Sequence, residues 1–211
     1  MKKMITFMGF KGSGKDTAAQ AFQGYTKLAF ADSIKDAIAP IFGWDRKLLN
    51  GDTPESRQWR ETVDPWWSVR LNIPDFTPRK AMTMVGTDIL RKYLDDRLWI
   101  NSLIKKMDDS LNQNFIITDV RHRIEIEFLS EYSGGFQAFF IDRSPLPKHW
   151  AVTSLSDDEF PYADKCRYMK EHHPDVHHSE WEWNTFARNS AVRISNDSSK
   201  ENLLNQIKKY T

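Results

Sequence analysis

Cysteine is almost missing from this chain: Cys166 is the only one in 211 residues. That excludes a disulfide framework and suits a reducing compartment. Long apolar runs are missing too. No stretch reads as a secretory h-region or a bilayer span, so neither export nor membrane insertion is expected. An excess of charge of either sign is also lacking, with 30 Lys and Arg against 29 Asp and Glu. This removes the case for nonspecific nucleic-acid binding and leaves only local basic sites.

What is present suffices for one core, since 40% of the residues are hydrophobic and the length fits a single domain over 1–211, with or without inserted segments. Tryptophan is plentiful, at eight. The group Trp59, Trp66 and Trp67 reads first as core or subunit interface, which keeps a homodimer open, and second as a stacking wall for a substrate.

Short apolar runs at Ile5–Met8, Lys27–Ala31, Phe115–Thr118, Ala138–Ile141 and Ala191–Ile194 predict five strands. Helical spacing predicts helices over Ser33–Phe42, Arg79–Leu94, Leu98–Leu111, Arg123–Tyr132 and Lys200–Tyr210. Alternating strands and helices imply an α/β fold, a parallel sheet flanked by helices. Asp32 is placed to cap the second helix and Asn196-Asp-Ser-Ser to cap the last. Two proline-bearing stretches interrupt the rhythm. Residues 43–78 read as an inserted substrate-binding segment and 143–189 as a lid, both leaving from the sheet edge where open α/β folds bind ligands. A purely structural excursion is the plain alternative for each.

The stretch with most chemical content is Gly9-Phe-Lys11-Gly12-Ser13-Gly14-Lys15-Asp16-Thr17, between the first strand and a helix-like run to Phe22. Glycines let backbone N–H groups turn inward around an anion, the helix start adds positive potential, and a lysine there reaches the outer phosphates. The spacing is that of a P-loop, G-x-x-x-x-G-K-[ST], except that Asp16 stands where the hydroxyl is usual. A Mg²⁺ ion would then meet Thr17 one place later, or be held through water with help from Asp16. Asp119 and Arg121 follow the third strand. The carboxylate could order Mg²⁺ or its waters, and the guanidinium could neutralise a transferring phosphoryl group; a loop-fixing Asp–Arg pair is the alternative. Arg143 opens the lid stretch, as a phosphate contact or a solvated charge. Asp32 and Lys35 begin the second helix, and Arg79 and Arg91 frame the Gly86-Thr87-Asp88 break. Such donors suit a monophosphate dianion, although helix-surface charges would look the same.

These residues together resemble the bacteriophage deoxynucleoside monophosphate kinases of the P-loop nucleoside monophosphate kinase superfamily. The similarity runs through Gly9–Thr17, Leu28–Ala37, Met84–Ile89 with Trp99, Ile116–Arg121, His178-Ser-Glu180 and Ile194–Ser198. It implies a P-loop kinase fold with a five-stranded parallel sheet, and ATP-dependent phosphorylation of deoxynucleoside 5′-monophosphates with Mg²⁺. By the same resemblance Lys15 and the loop amides hold the ATP phosphates, Asn196 lies near the adenine, and Arg121 and Arg143 stabilise the transferring group. Asp32, Lys35, Arg79, Thr87, Arg91, Trp99 and Asp119 are then the acceptor-side candidates, and the location is cytoplasmic, the host's if a phage encodes the chain.

The donor-site residues alone also fit a P-loop kinase of a coenzyme precursor or a phosphorylated isoprenoid, or a nucleotide-dependent switch. Cys166, His172, His173, His177 and His178 invite a zinc reading, but their spacing is not a paired-ligand pattern, so a polar loop is expected there.

Overall fold

The computed structural model describes residues 2–211. They divide into two compact units, one made of the chain up to Ala29 together with Met107–Thr211, the other of Phe30–Lys106.

The first unit holds a sheet of five parallel strands, β1 (Lys3–Met8), β2 (Thr26–Leu28), β3 (Asn114–Ile117), β4 (Gly135–Asp142) and β5 (Val192–Ser195), in the order β2-β3-β1-β4-β5. All five predicted strands are found, with ends moved by a few residues, and the arrangement is the α/β P-loop kinase fold expected. The largest shifts are three residues: β4 starts at Gly135, and β2 stops at Leu28 because the next helix already starts at Phe30.

Both faces of the sheet are covered, so β1 is buried from Met4 to Met8 rather than alternating. On one face Ile5, Phe7, Phe139, Ile141 and Ile194 pack with α1 (Lys15–Ala19) and with Leu203 and Ile207 of α11 (Lys200–Ile207). Phe7 and Phe139, paired in register, stack at 5.3 Å. Burying each such ring stabilises the unit by about 1.5–3 kcal/mol. On the other face Phe140 stacks on Trp150 at 4.8 Å beside the fully buried Trp183. The stretch 143–189, with helices α8 (Trp150–Thr153), α9 (Tyr162–His172) and α10 (Asn184–Asn189), is thus anchored to the sheet by its own tryptophans. Between β3 and β4 runs α7 (Arg123–Tyr132), as predicted. Ser199, at the end of the expected Asn-Asp-Ser-Ser run, caps α11 by accepting from the Asn202 N–H.

The second unit contains α2 (Phe30–Phe42), α3 (Pro54–Glu61), α4 (Pro65–Leu71), α5 (Pro78–Thr83), a π-helix (Met84–Arg91) and most of α6 (Leu98–Asp108). Asp32 does not cap α2 as expected; it lies within its first turn. Three of the four prolines of 43–78 begin helices rather than interrupt them, and Pro74 lies in a turn. Thr53, Asp64 and Thr77 each accept a backbone N–H as N-cap, and Pro54, Pro65 and Pro78 take the next position, where no N–H is needed. The predicted helix Arg79–Leu94 becomes α5 followed by the π-turns, so Gly86-Thr87-Asp88 is wound, not broken. Gly86 allows this closeness, since a Cβ there would lie 2.7 Å from Ile34 Cδ1. Trp59 and Trp67 belong to a cluster with Phe42, Trp44 and Phe76, as the core reading expected, while Trp66 is 52% exposed under the Arg70 guanidinium. No helix among the described residues is long and apolar enough to cross a membrane.

Candidate functional site

Parallel strands deliver all their following loops to one edge, and in this strand order the loops after β1 and β4 leave in opposite directions from adjacent strands, opening a crevice. Into that edge come the Gly9–Gly14 loop after β1, residues 118–122 after β3, Arg143 after β4 and Asn196 after β5.

The loop after β1 can exist only with glycine at particular points. Gly9 has φ 152° and a Cβ there would come within 2.8 Å of the Ile141 carbonyl oxygen. Gly14, at φ 103°, takes the N-cap position of α1. The expected run of helix to Phe22 is shorter, because α1 spans only Lys15–Ala19 and then tightens into turns bonded Gln20 to Thr17 and Phe22 to Ala19. A helix of five residues carries little macrodipole, so the anion-binding capacity rests on the loop's own N–H groups and on nearby cations.

Other elements hold the loop in place. Asn196 Nδ2 donates to Ser13 O at 2.7 Å, Arg143 Nη1 donates to Gly12 O at 3.1 Å, and the Phe10 ring rests on Trp183 at 5.0 Å. Lys15 Nζ donates back to the carbonyls of Gly9 at 2.7 Å and Phe10 at 3.0 Å. Burial, reinforced by the positive charge of Arg121, pushes Lys15 down to about 8, against the opposing pull of Asp16, Glu180 and Asp119. That balance puts Arg121, Asp119 and Glu180 within electrostatic reach of Lys15. Burial would raise the Asp16 carboxyl, but an ion pair with Lys27, the charge of Lys15 and a 3.4 Å hydrogen bond from Thr118 Oγ1 hold it below its ordinary value. Thr17 follows in the same turn, half-buried.

Arg121 is positioned from two sides. Its backbone N–H and that of His122 both donate to Glu125 Oε2, at 2.8 and 3.1 Å, and Glu125 is 2% exposed. Its guanidinium Nη1 donates to Glu180 Oε2 at 3.1 Å. The Arg121–Glu180 pair spans 59 positions of the chain.

The remaining candidates lie in the second unit. Lys35 pairs with Asp32 at 3.2 Å, and Arg46 bridges Asp32 and Asp36, forming a charged network along α2. Arg79 pairs with Glu61 at 2.6 Å. Thr87 and Arg91 are in the π-helix, a local geometry that often marks functional sites. Trp99 is buried, with its indole N–H donated to Gly86 O at 2.8 Å, so it fixes the π-turn. Phe10, Thr118 and Glu180 lie in stretches that carried the resemblance but had no role assigned at this site, because their partners Trp183, Asp16 and Arg121 are distant in the chain; Lys27 and Glu125 were not singled out at all. Only the acidic residue three places after His122, a capping-box spacing, could have pointed to Glu125.

A family model described as deoxynucleotide monophosphate kinase matches residues 52–145. A mimivirus protein from Acanthamoeba polyphaga mimivirus, provisionally named a deoxynucleotide monophosphate kinase, is 32% identical over 184 residues, covering 79% of this chain and 83% of its own. Among solved structures, dephospho-CoA kinase from Campylobacter jejuni aligns at 15% identity and TM-score 0.46, over 99% of this chain and 95% of that one. TT1252 from Thermus thermophilus aligns at 16% identity and TM-score 0.44, with the same two coverages.

Proposed function

The chain belongs to the deoxynucleotide monophosphate kinase family, and on that premise we propose that it transfers the γ-phosphoryl group of ATP to a deoxynucleoside 5′-monophosphate. An oxygen of the acceptor's 5′-phosphate attacks the γ-phosphorus in line, the bond to the β,γ-bridging oxygen breaks, and the deoxynucleoside diphosphate and ADP leave. The acceptor oxygen is already ionised near neutral pH, so no general base is required. Catalysis then reduces to positioning and charge stabilisation.

The observation that carries this reading is the assembly of Lys15, Arg121 and Arg143 from three different loops around one glycine cradle at the sheet edge. Ser13 Oγ supports it: the hydroxyl is buried and has no protein partner, and a phosphate oxygen at the loop would supply one. In the reaction Lys15 turns from the Gly9 and Phe10 carbonyls to the β- and γ-phosphates, Arg143 stays against the loop, and Arg121 takes the charge that spreads over the transferring group. The side chains of Asp16, Thr17 and Asp119 offer hard oxygen donors and fit a Mg²⁺ ion, directly or through water. When bound with ATP, that ion neutralises charge on the phosphate oxygens. Residues 143–189 are assigned the exclusion of water, without which ATP would be hydrolysed instead of transferred. The acceptor site is assigned to Lys35, Arg79, Thr87 and Arg91, with Asp32 and Trp99 orienting them.

Lys15→Ala and Arg121→Ala should each lower kcat by about 10²-fold or more, as for other charge-stabilising donors, in protein that still melts cooperatively. Near-normal turnover in either folded variant would remove that residue from the mechanism.

A further inference from the structure

Away from the glycine cradle, three side chains with metal-ligating atoms converge. One ring nitrogen each of His122 and His178 and a carboxylate oxygen of Glu182 all lie within 4.8 Å of one another. Glu182 Oε2 accepts from His122 Nδ1 at 2.7 Å and lies 3.2 Å from His178 Nδ1. Two imidazoles and one carboxylate this close together form a donor set that borderline divalent ions favour, with a fourth position available to water.

We propose that His122, His178 and Glu182 bind a divalent transition-metal ion of the Zn²⁺ class. The surroundings are those of a ligand set rather than a chance contact. His178 Nε2 meets the Tyr162 hydroxyl at 2.5 Å, and that hydroxyl donates on to Glu182 Oε1 at 3.4 Å. With a metal on Nδ1, His178 carries its proton on Nε2 and donates it to Tyr162, so one relay orients both the imidazole and the carboxylate. The Trp181 ring packs edge-on to His178 at 4.8 Å and the Arg123 guanidinium lies 5.2 Å over Tyr162, which fix the two rings further. The His122 and Glu182 side chains are 15% and 13% exposed, while His178 is 42% exposed. An ion can therefore enter past His178 and then lie largely sheltered.

The site joins two segments already placed around Arg121. His122 is its chain neighbour, and Glu180, between two of the ligands, accepts from its guanidinium. A bound ion would fasten the 178–182 turn to the start of α7 and thereby fix Arg121 between them. Of the five residues weighed for zinc in the sequence, only His178 takes part. The other two ligands come from outside that group, and His122 is 56 positions away.

The test is a titration of the chelator-treated, untagged full chain with Co²⁺ in the absence of nucleotide, read by visible d–d absorption and followed by Zn²⁺. One equivalent of Co²⁺ should give a band that Zn²⁺ removes. His122→Ala and Glu182→Gln should lose it. Tyr162→Phe, which keeps all three ligands, should bind about tenfold more weakly. Circular dichroism of each metal-free variant confirms folding, and the Tyr162→Phe series keeps the question open to measurement if a ligand variant does not fold. No band and no heat of Zn²⁺ binding in the wild type would overturn the proposal. So would a band that survives Glu182→Gln, since the ion would then be held elsewhere.

Discussion

Asn196 Nδ2 lies 2.7 Å from the carbonyl oxygen of Ser13, so the loop after the last strand holds the loop after the first from a distance of 183 positions. Gly14 is what permits the approach, because a Cβ there would stand 2.5 Å from the same Asn196 nitrogen. The glycine cradle is therefore a joint product of both ends of the chain.

Asn196→Ala removes the brace without touching a phosphate-binding group. It should weaken ATP binding by about tenfold, the equivalent of one net hydrogen bond, with a smaller change in the KM for the acceptor. Gly14→Ala should be worse, since it adds backbone strain at φ 103° to the clash. Isothermal titration of ATP into both variants checks the order.

Lys15, held down to about 8 by burial and Arg121, should regain a higher value when a polyphosphate anion lies beside it. ATP binding will then take up a proton at pH 8–9, and affinity will fall as pH rises above about 8. Calorimetry in two buffers of different ionisation enthalpy measures the uptake. In the nucleotide-free protein the unfolded chain binds more protons between about pH 8 and the ordinary 10.5, so the lysine's contribution to stability improves with rising pH across that window. The difference in melting temperature between wild type and Lys15→Met, followed from pH 8 to 10, should shrink accordingly.

Arg121 and Glu180 act on Lys15 in opposite senses, the one lowering and the other raising it. Arg121→Ala should shift the proton uptake to higher pH and Glu180→Gln to lower pH. Glu180→Gln should also leave more activity than Arg121→Ala, because the guanidinium to which the proposed reaction assigns the phosphoryl charge survives. Equal shifts in the same direction would contradict this placement of the three groups.

Glu125 accepts the backbone N–H groups of Arg121 and His122 while almost wholly buried. Glu125→Ala removes the acceptor of two half-buried donors, at a cost of up to about 1–3 kcal/mol each where water cannot replace it. Its melting temperature should fall by several degrees and kcat should drop with little change in the KM for ATP. Thermal melts and steady-state kinetics separate the two effects.

Much of the glycine cradle was legible in the sequence because its signals are local. Gly9 to Thr17 is contiguous, and the strands that carry it and Arg121 are short apolar runs bounded by polar residues. Elements whose form depends on distant partners were not legible. The loop before α1 is held by Asn196 and Trp183. The Arg121–Glu180 pair and the His122–Glu182 contact link segments about sixty positions apart. Proline was misleading in 43–78, since Pro54, Pro65 and Pro78 act as first helical residues behind Thr and Asp caps. The π-turns at Gly86 depend on contact with Ile34, which no spacing pattern of Arg79–Leu94 encodes.

The central claim is that the cradle serves phosphoryl transfer to a deoxynucleoside monophosphate. It is tested most directly by measuring ADP formation from Mg·ATP with each deoxynucleoside and ribonucleoside monophosphate supplied separately, with Lys15→Ala as the blank. Turnover should depend on a deoxynucleoside monophosphate and be lost in the blank. ATP binding with no stimulation by any deoxynucleoside monophosphate would contradict it.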